Sequence, residues 1–405
     1  MKTLGFVAIA LGVAVAANAE ALWMQAYSYD MPGEAEYYEA LAKAFEHEAG
    51  LSAGAIRIAL EKWDDAHAQI AGWLEAGAGP DLVVVPDIWL AEFADGIEPF
   101  DRYVSSALRD DFFEVLYKKG IYKDKLLGLV WATSTKALFY RADLFREAGI
   151  EPPTNWQEQL AAAVALNDPP RVHGIGLPGA REYETDDNFF FYLWSAGGDF
   201  FDADGACALN SEAGVKALQF YCDLVNKYHV TQPEVTTWNR KQTRRLFEAG
   251  KLAMFATGPW GVEQMRKNAP DVEFGVVPLP KDKESITQII TDHLVLARYS
   301  ERKDLAARFV EFAYRRENRL AFTSLGILPE LQSVAADEHF QGDPDWKVFV
   351  DVIPYGRTIP LIQWEKVGIA IREAMFQALT ERKTPRQALD DVAKEIDEIV
   401  ANQGR

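Results

Sequence analysis

The fold of this chain is decided by one stretch near its centre, which runs Leu252-Ala253-Met254-Phe255-Ala256-Thr257-Gly258-Pro259-Trp260. Its apolar residues predict a short buried strand, which Gly258 and Pro259 bring to an end. The indole of Trp260 follows at the carboxyl end of that strand, where open α/β sheets bind their ligands. From this stretch alone, Trp260 is equally well explained as a core residue beside a turn.

The same order of strand, polar or aromatic tip, and helix recurs elsewhere in the chain. Strands are predicted at residues 21–26, 56–60, 82–85 and 126–130, and just beyond their ends stand Tyr29, Asp64, Asp87 and Ser134. Alternating strands and helices are typical of a largely parallel sheet with helices on both faces. Because right-handed crossovers bring the strand ends to one edge, we expect these residues and Trp260 to converge on one rim.

Composition limits the class of protein and its partners. A chain of 405 residues is long enough for two packed lobes, and its 11 tryptophans offer flat binding surfaces as well as core. The formal net charge of −19 argues against nucleic acid or an anionic membrane as a partner, because phosphates would be repelled. Cys207 and Cys222 allow either a disulfide or two separate thiols. The sequence has no zinc-type spacing of Cys and His, so no metal or cofactor is predicted.

The first 19 residues have the pattern of a secretory signal peptide. Lys2 gives a positive start, residues 4–17 form an apolar run, and Ala17-Asn18-Ala19 is a small-residue cleavage site. The run is too short to span a bilayer, and no cysteine follows the expected cut to carry a lipid anchor. We therefore expect the mature protein to be exported, soluble and periplasmic.

The chain resembles the extracellular solute-binding proteins of ATP-driven sugar importers, the family that includes the maltose- and trehalose-binding proteins. Its motifs follow the family's order over nearly the whole mature chain. They are Ala78-Gly79-Pro80-Asp81-Leu82, Trp89-Leu90-Ala91-Glu92-Phe93, Phe139-Tyr140-Arg141-Ala142-Asp143-Leu144-Phe145, Pro152-Pro153-Thr154, Ser195-Ala196-Gly197-Gly198, residues 250–260, and Thr384-Pro385 with Ala388-Leu389. One such motif is weak evidence, whereas the ordered set is strong.

The resemblance implies an α/β protein with the two-lobe fold of type II periplasmic binding proteins, in which doubly wound sheets are joined by hinge crossings. We expect the crossings near Ser134, residues 287–291 and residues 327–330. Lobe 1 would comprise residues 20–133 plus 291–328, and lobe 2 residues 135–290 plus 329–405. A carbohydrate would lie in the cleft between the lobes, which would close over it by hinge motion. The expected partners are this sugar and the membrane subunits of an ABC permease, and the protein is expected to be a monomer without enzymatic activity.

The resemblance also implies a set of ligand contacts, each taken from the position that a residue holds in the family's motifs. In this picture Trp260 is a stacking aromatic, while Asp64 and Asp87 accept hydrogen bonds from sugar hydroxyls. The complete set is Tyr29, Glu34, Asp64, Asp87, Ser134, Asn188, Trp260, Arg357 and Trp364. Glu330 stands where many members carry a basic residue, which puts the contact at that position in doubt.

These residue types suit a carbohydrate, because its C–H faces lie flat on aromatic rings and its hydroxyls need directional partners such as carboxylates. Three alternatives remain open at this point. An exported glycoside-acting enzyme would need two carboxylates flanking one bond. A binder of another solute, such as a polyol or a glycerol phosphate, or a binding protein that serves a sensor, could share the fold. The sequence does not identify the sugar, its chain length or the permease.

Overall fold

The computed structural model describes residues 21–402 apart from residues 30, 64, 183 and 361–363, and it leaves out the side chain of Glu365. The predicted signal peptide, residues 1–19, therefore lies outside the described residues. The strands are β1 (Leu22–Tyr27), β2 (Ile56–Glu61), β3 (Leu82–Pro86), β4 (Ile97–Glu98), β5 (Ile121–Tyr122), β6 (Lys125–Leu126), β7 (Gly128–Ser134), β8 (Ala137–Arg141), β9 (Met254–Thr257), β10 (Phe274–Val277), β11 (Thr287–Gln288), β12 (Ile290–Ala297) and β13 (Gly356–Arg357).

Helices connect and cover these strands. They are α1 (Glu34–Ala49), α2 (Ala66–Ala76), α3 (Leu90–Phe93), α4 (Ser106–Asp111), α5 (Glu114–Lys119), α6 (Ala142–Ala148), α7 (Trp156–Ala165), α8 (Thr185–Ser195), α9 (Glu212–Cys222), α10 (Arg240–Glu248), α11 (Trp260–Asn268), α12 (Lys303–Ala313), α13 (Arg316–Thr323), α14 (Gln332–Ala335), α15 (Glu338–Gln341), α16 (Pro344–Asp351), α17 (Trp364–Leu379) and α18 (Pro385–Ala401). Short 3-10 turns lie at Asp87–Trp89, Ala94–Gly96, Val235–Thr237 and Ile353–Tyr355, and a π-helical turn at Asp223–Lys227. None of the helices in the described ranges is long and apolar enough to cross a membrane.

The first sheet has the strand order β2-β1-β3-β12-β4, with β7 also paired to β12. Strands β1, β2 and β3 are parallel, whereas β12 runs antiparallel to both β3 and β7. Strand β7 therefore points in the same direction as β3. The carboxyl ends of β1, β2, β3 and β7 consequently meet the amino end of β12 at one edge, which agrees with the expected convergence of strand tips.

The second sheet has the order β10-β8-β9, and both of its pairings are antiparallel. The sequence analysis expected largely parallel sheets throughout, and for these three strands that expectation is wrong. The reason is that β8 enters from the first sheet through Ser134 and Lys136 in the direction opposite to β9. The carboxyl end of β9 therefore lies beside the amino end of β8, where Thr257 pairs with Ala137.

Two large hydrophobic cores accompany the two sheets. One packs around β1, β3, β7 and β12, with Leu22, Val84, Trp131 and Leu294 almost fully buried. The other forms where α8, α9, α17 and α18 pack on the second sheet. Cys207 and Cys222 lie in this second core as free, buried thiols. Of the two alternatives left open by the sequence, the structure therefore shows separate thiols and not a disulfide. The boundary residues of the two predicted lobes stay a prediction.

Candidate functional site

A cleft of about 370 Å³ lies between one edge of the first sheet and the helices α8 and α17. One wall comes from the ends of β2 and β3 and the start of β12, and the other from the first turn of α8 together with α17. The connection between β11 and β12 lines it where the two walls join. The described lining residues are Trp63, Pro86, Asp87, Ile88, Trp89, Asp186, Asp187, Gln288, Ile289, Ile290, Asp292, Ile359, Trp364 and Arg372.

Tryptophans supply the flat apolar surfaces of this cleft. Trp63 follows β2 and stacks on Tyr27 with the ring centroids 4.6 Å apart. Trp89 lies edge-on to Trp63, with 6.5 Å between their ring centroids. On the opposite wall, Trp364 begins α17 and packs against Phe190 at 5.9 Å. Trp63 and Trp89 are half-buried, so part of each ring faces solvent, while Trp364 is held almost entirely within the second core. The cleft therefore has an aromatic surface on both walls.

Two carboxylates lie on the wall formed by the first sheet. Asp87 follows β3, and its Oδ2 accepts a hydrogen bond from Thr291 Oγ1 at 3.3 Å and lies 3.4 Å from Lys119 Nζ. Asp292, near the start of β12, accepts a hydrogen bond from the Tyr29 hydroxyl at 2.8 Å. Burial raises the pKa of Asp292 to about 7, and the nearby charge of Asp87 acts in the same direction.

Two further carboxylates stand in the first turn of α8 on the opposite wall. Asp186 pairs with Arg372 at 3.1 Å, and Asp187 Oδ1 accepts a hydrogen bond from Gln288 Nε2 at 2.7 Å. Both are buried, which raises the pKa of each carboxyl group, although the helix amino terminus favours negative charge there. Asp187 Oδ2 and Gln288 Oε1 have no hydrogen-bond partner among the described residues. The cleft thus contains hydrogen-bonding groups whose capacity is not used internally.

This combination can bind a polyhydroxylated molecule. Aromatic rings on both walls suit the C–H faces of such a ligand, and carboxylates make strong hydrogen bonds with its hydroxyls. A volume of about 370 Å³ falls within the roughly 300–1,000 Å³ that is usual for small-molecule sites. The described residues contain no group of three or more His, Cys, Asp and Glu side chains arranged to hold a metal ion.

Residues 31–319 match the family model described as bacterial extracellular solute-binding protein. The chain belongs to this family. A putative binding protein of Brucella abortus (strain 2308) is 30% identical over 373 residues, which cover 90% of each chain. The arabinooligosaccharide-binding protein of Bacillus subtilis (strain 168) is 25% identical and covers 82% of each chain.

Among solved structures, an ABC transporter solute-binding protein of Thermotoga lettingae TMO, bound with α-D-tagatose, superposes with a TM-score of 0.76 at 25% identity. The match covers 94% of this chain and all of that one. The predicted family and the two-lobe periplasmic-binding-protein fold are thereby confirmed. That the cleft described above is the one between the two predicted lobes stays a prediction.

Two of the contacts expected from the family line the cleft directly, namely Asp87 and Trp364. Tyr29 reaches it through the hydrogen bond to Asp292. Ser134, the last residue of β7, pairs with Ile290, which lines the cleft, and is half-buried. The structure therefore brings Tyr29, Asp87 and Ser134 to one edge of the first sheet, and Trp364 lies on the opposite wall of the cleft.

Trp260 begins α11 beside the cleft and is half-buried. Lys136 Nζ lies 4.6 Å from its ring centroid and Arg240 Cζ lies 5.2 Å from it. Arg240 is in turn paired with Glu184 at 2.7 Å, immediately before α8. Trp260 is not among the described lining residues of the 370 Å³ cleft. Its role as a stacking platform stays a prediction.

Glu34, Asn188 and Arg357 are not among the described lining residues of the cleft. Glu34 is buried at the start of α1 and accepts hydrogen bonds from Ser28 Oγ at 2.7 Å and the Tyr29 backbone N–H at 3.1 Å. Asn188 lines a cavity of about 20 Å³ inside the second core. Arg357 is exposed and pairs with Glu284 at 3.1 Å. Asp64 lies outside the described residues.

Glu330, the position that departs from the family's pattern, is fully buried and forms an ion pair with Arg319 at 2.5 Å. Its carboxylate is therefore occupied inside the protein.

Several cleft residues were missed by the sequence analysis. Trp63 and Trp89 stand just beyond the ends of predicted strands. The same position at a strand end had identified Asp87 as a candidate contact, and it would have identified these two tryptophans as well. Asp186 and Asp187 stand just before Asn188, in the helix that begins the aromatic run. Arg372 and Asp292 had no local signal, because their roles depend on contacts with residues far away in the chain.

Proposed function

We propose that this protein is the exported substrate-binding component of an ABC importer and that it captures a carbohydrate or related polyol in the interlobe cleft. The observation that carries the proposal is that Trp63 and Trp89 on one wall and Trp364 on the other line the same cleft as four carboxylates. Hinge motion between the lobes would close the walls over the ligand and exclude water. The membrane subunits of an ABC permease would receive the closed, loaded form.

The chemistry of the cleft favours a ligand rich in hydroxyl groups. The carboxylates of Asp87, Asp187 and Asp292 are acceptors, which match the O–H donors of a sugar. Among the described lining residues the one guanidinium group is that of Arg372, and it is ion-paired with Asp186. An anionic ligand such as a phosphate ester would therefore meet net negative charge from the described lining. The arabinooligosaccharide-binding relative supports the same class of ligand.

A thermal-shift screen tests this proposal. The probes are arabinooligosaccharides, maltose, maltotriose, D-tagatose and ribitol, with glycerol 3-phosphate as the anionic comparison. A ligand present at about 100 times its Kd should add about 2.7 kcal/mol to the free energy of unfolding, which raises Tm by several degrees. Isothermal titration calorimetry then gives the affinity. A screen in which none of the carbohydrates or polyols shifts Tm would contradict the proposal.

The same samples separate a binding protein from a glycoside-acting enzyme. Each oligosaccharide is incubated with the protein overnight, and the mixture is analysed by chromatography. A binding protein leaves the chain length of the oligosaccharide unchanged, whereas a hydrolase produces shorter sugars. Stimulation of ATP hydrolysis by a reconstituted permease, when loaded protein is added, would establish the role in import.

A further inference from the structure

Lys136 is a buried lysine close to the cleft. It lies between β7 and β8, where the chain passes from the first sheet to the second, and its side chain is 1% exposed. Its backbone N–H donates to Thr287 Oγ1 at 2.7 Å, and its carbonyl oxygen accepts from the same hydroxyl at 2.8 Å. The backbone of Lys136 is thus fixed to β11, which is the return connection between the sheets.

The ammonium group of Lys136 makes no hydrogen bond to any described residue. It lies 4.6 Å from the centroid of the Trp260 ring. Burying an ammonium group without hydrogen bonds is costly, so a protein retains such a group where its charge acts on something else. The indole face supplies part of the compensation, since a desolvated cation is attracted to the electron-rich face of the ring.

Asp187 is the carboxylate that acts most strongly on the charge of Lys136. Its Oδ1 accepts a hydrogen bond from Gln288 Nε2, while its Oδ2 is buried and has no partner in the described part of the chain. Asp187 and Gln288 both line the cleft. Lys136 therefore stands behind the wall of the cleft, with the Trp260 indole against its ammonium group and Asp187 within range of its charge.

We infer that Lys136 is a positioning residue for the ligand cleft: its buried ammonium group supports the Trp260 indole and places a positive charge behind Asp187, whose unpartnered Oδ2 can accept a hydrogen bond from a ligand hydroxyl. The inference rests on the proposed function, because it assigns Lys136 a role in that same site. A neutral Asp187 would keep its shape but would lose the charge that makes its hydrogen bonds strong.

The electrostatic environment supports this assignment. Burial raises the pKa of Asp187, and Lys136 is the largest influence that lowers it again. Burial lowers the pKa of Lys136 to about 8, while Asp187 and Glu184 raise it and Arg240 lowers it. The other charged groups in contact with this region are Asp186 and its partner Arg372. Removing the lysine therefore moves the pKa of Asp187 upward, towards neutral pH.

The first test needs no ligand. Lysines labelled with ¹³C at Cε are followed by NMR as a function of pH, and the signal of Lys136 is assigned by its loss in Lys136→Met. We expect this signal to titrate near pH 8, below the exposed lysines. Asp187→Asn should move its midpoint lower still, because a charge that favours the ammonium form is removed. A Lys136 signal that titrates with the exposed lysines, or that ignores Asp187→Asn, would overturn the inference.

The second test measures affinity as a function of pH. The probe is whichever of maltose, maltotriose, an arabinooligosaccharide, D-tagatose or ribitol shifts the wild-type Tm most. Lys136→Met keeps the length of the side chain and removes its charge, so the pKa of Asp187 should rise by about 1–2 and the affinity near pH 7 should fall about two- to tenfold, because less of Asp187 is ionised. The loss should shrink as the pH rises, because Asp187 then ionises without help. Lys136→Arg should restore most of the affinity.

Lys216 provides a matched control in the same lobe. It also lies over a tryptophan, with its Nζ 5.4 Å from the Trp156 ring centroid, and it is ion-paired with Asp282. Lys216→Met should bind the probe as the wild type does at every pH. The inference fails if Lys136→Met binds like the wild type throughout the pH range, or if Lys136→Arg loses as much affinity as Lys136→Met. If none of the probes binds the wild type, the carbohydrate proposal fails, and the labelled lysine still decides the coupling between Lys136 and Asp187.

Discussion

The Tyr29 hydroxyl donates a hydrogen bond to Asp292 across 263 residues of sequence, at a distance of 2.8 Å. Tyr29 follows β1 and Asp292 lies near the start of β12, so the bond links the first strand of the sheet to the strand that returns from the second sheet. Burial and the neighbouring Asp87 raise the pKa of Asp292 to about 7. One wall of the cleft therefore contains a carboxyl group that changes its charge near neutral pH.

The first prediction concerns stability as a function of pH. Because the pKa of Asp292 is higher in the folded protein than in an unfolded chain, this residue stabilises the fold at low pH, and that contribution is lost as the pH rises through about 7. Asp292→Asn removes the titration. Relative to the wild type, the variant should gain about 4 kcal/mol of unfolding free energy between about pH 4 and pH 8, since the pKa of Asp292 is raised from 3.8 to about 7 and one pH unit of pKa displacement corresponds to about 1.4 kcal/mol.

Urea denaturation of both proteins at several pH values measures this difference. Asp124→Asn is a suitable control, because Asp124 is exposed and its left-handed backbone (φ 60°) is tolerated by asparagine. The control should differ from the wild type by the same amount at each pH. A constant difference for Asp292→Asn as well would contradict the prediction.

The second prediction concerns the hydroxyl-binding role of Asp87. Asp87 is buried, with Thr291 at 3.3 Å and Lys119 at 3.4 Å as its neighbours, and it lines the cleft. Asp87→Asn should weaken the binding of the sugar by roughly 1.5–3 kcal/mol, or more than tenfold in Kd, because a hydrogen bond to a charged group is replaced by a weaker one. Calorimetry at constant pH provides the measurement, and Asp124→Asn again serves as the control. Undiminished affinity in Asp87→Asn would exclude Asp87 as a contact.

The third prediction concerns the buried ion pair between Arg319 and Glu330. Arg319 donates to both carboxylate oxygens of Glu330 and also lies over the Trp131 ring at 4.5 Å from its centroid. Glu330→Gln leaves a buried guanidinium group without its counter-charge and should lower the free energy of unfolding by about 3–5 kcal/mol. The double variant Arg319→Met with Glu330→Gln should lose much less than the sum of Arg319→Met and Glu330→Gln, because no unpaired charge remains. Urea denaturation of the four proteins tests this, and additive losses would show that the two residues do not act as a pair.

Sequence patterns predicted the first sheet and its ligand-facing edge because the signals there are local. Asp87 follows four consecutive buried residues of β3, and a strand of that kind directs the next polar residue to the edge of the sheet. Trp364 came instead from its position relative to the family's motifs. The structure places both residues in the cleft lining.

The opposite wall could not be derived in the same way. Asp186 forms an ion pair with Arg372, which lies 186 residues further along the chain. No sequence pattern around either residue indicates that the two side chains meet. The antiparallel second sheet was missed for a similar reason, since the direction of β8 depends on where the chain leaves the first sheet. Arg357 was proposed as a contact from its position near the end of the chain. In the structure its side chain pairs with Glu284 on the surface, and its contact with a ligand stays a prediction.

The last prediction returns to Gly258 and Trp260. A Cβ atom on Gly258 would lie 2.7 Å from Cζ2 of the Trp260 indole and closer still to the neighbouring ring atoms, so the ring and an alanine cannot both occupy their places. Gly258→Ala should therefore displace the indole from Lys136 and Arg240. If Trp260 is a stacking platform, Trp260→Ala should weaken sugar binding by roughly 1–3 kcal/mol. Gly258→Ala keeps the indole but moves it, so it should weaken binding by nearly as much. Gly72→Ala is the matched control, because a Cβ at this position in α2 meets nothing within 4 Å. Calorimetry gives the affinities and circular dichroism verifies the fold, and a folded Gly258→Ala with wild-type affinity would show that the position of the Trp260 ring does not matter for binding.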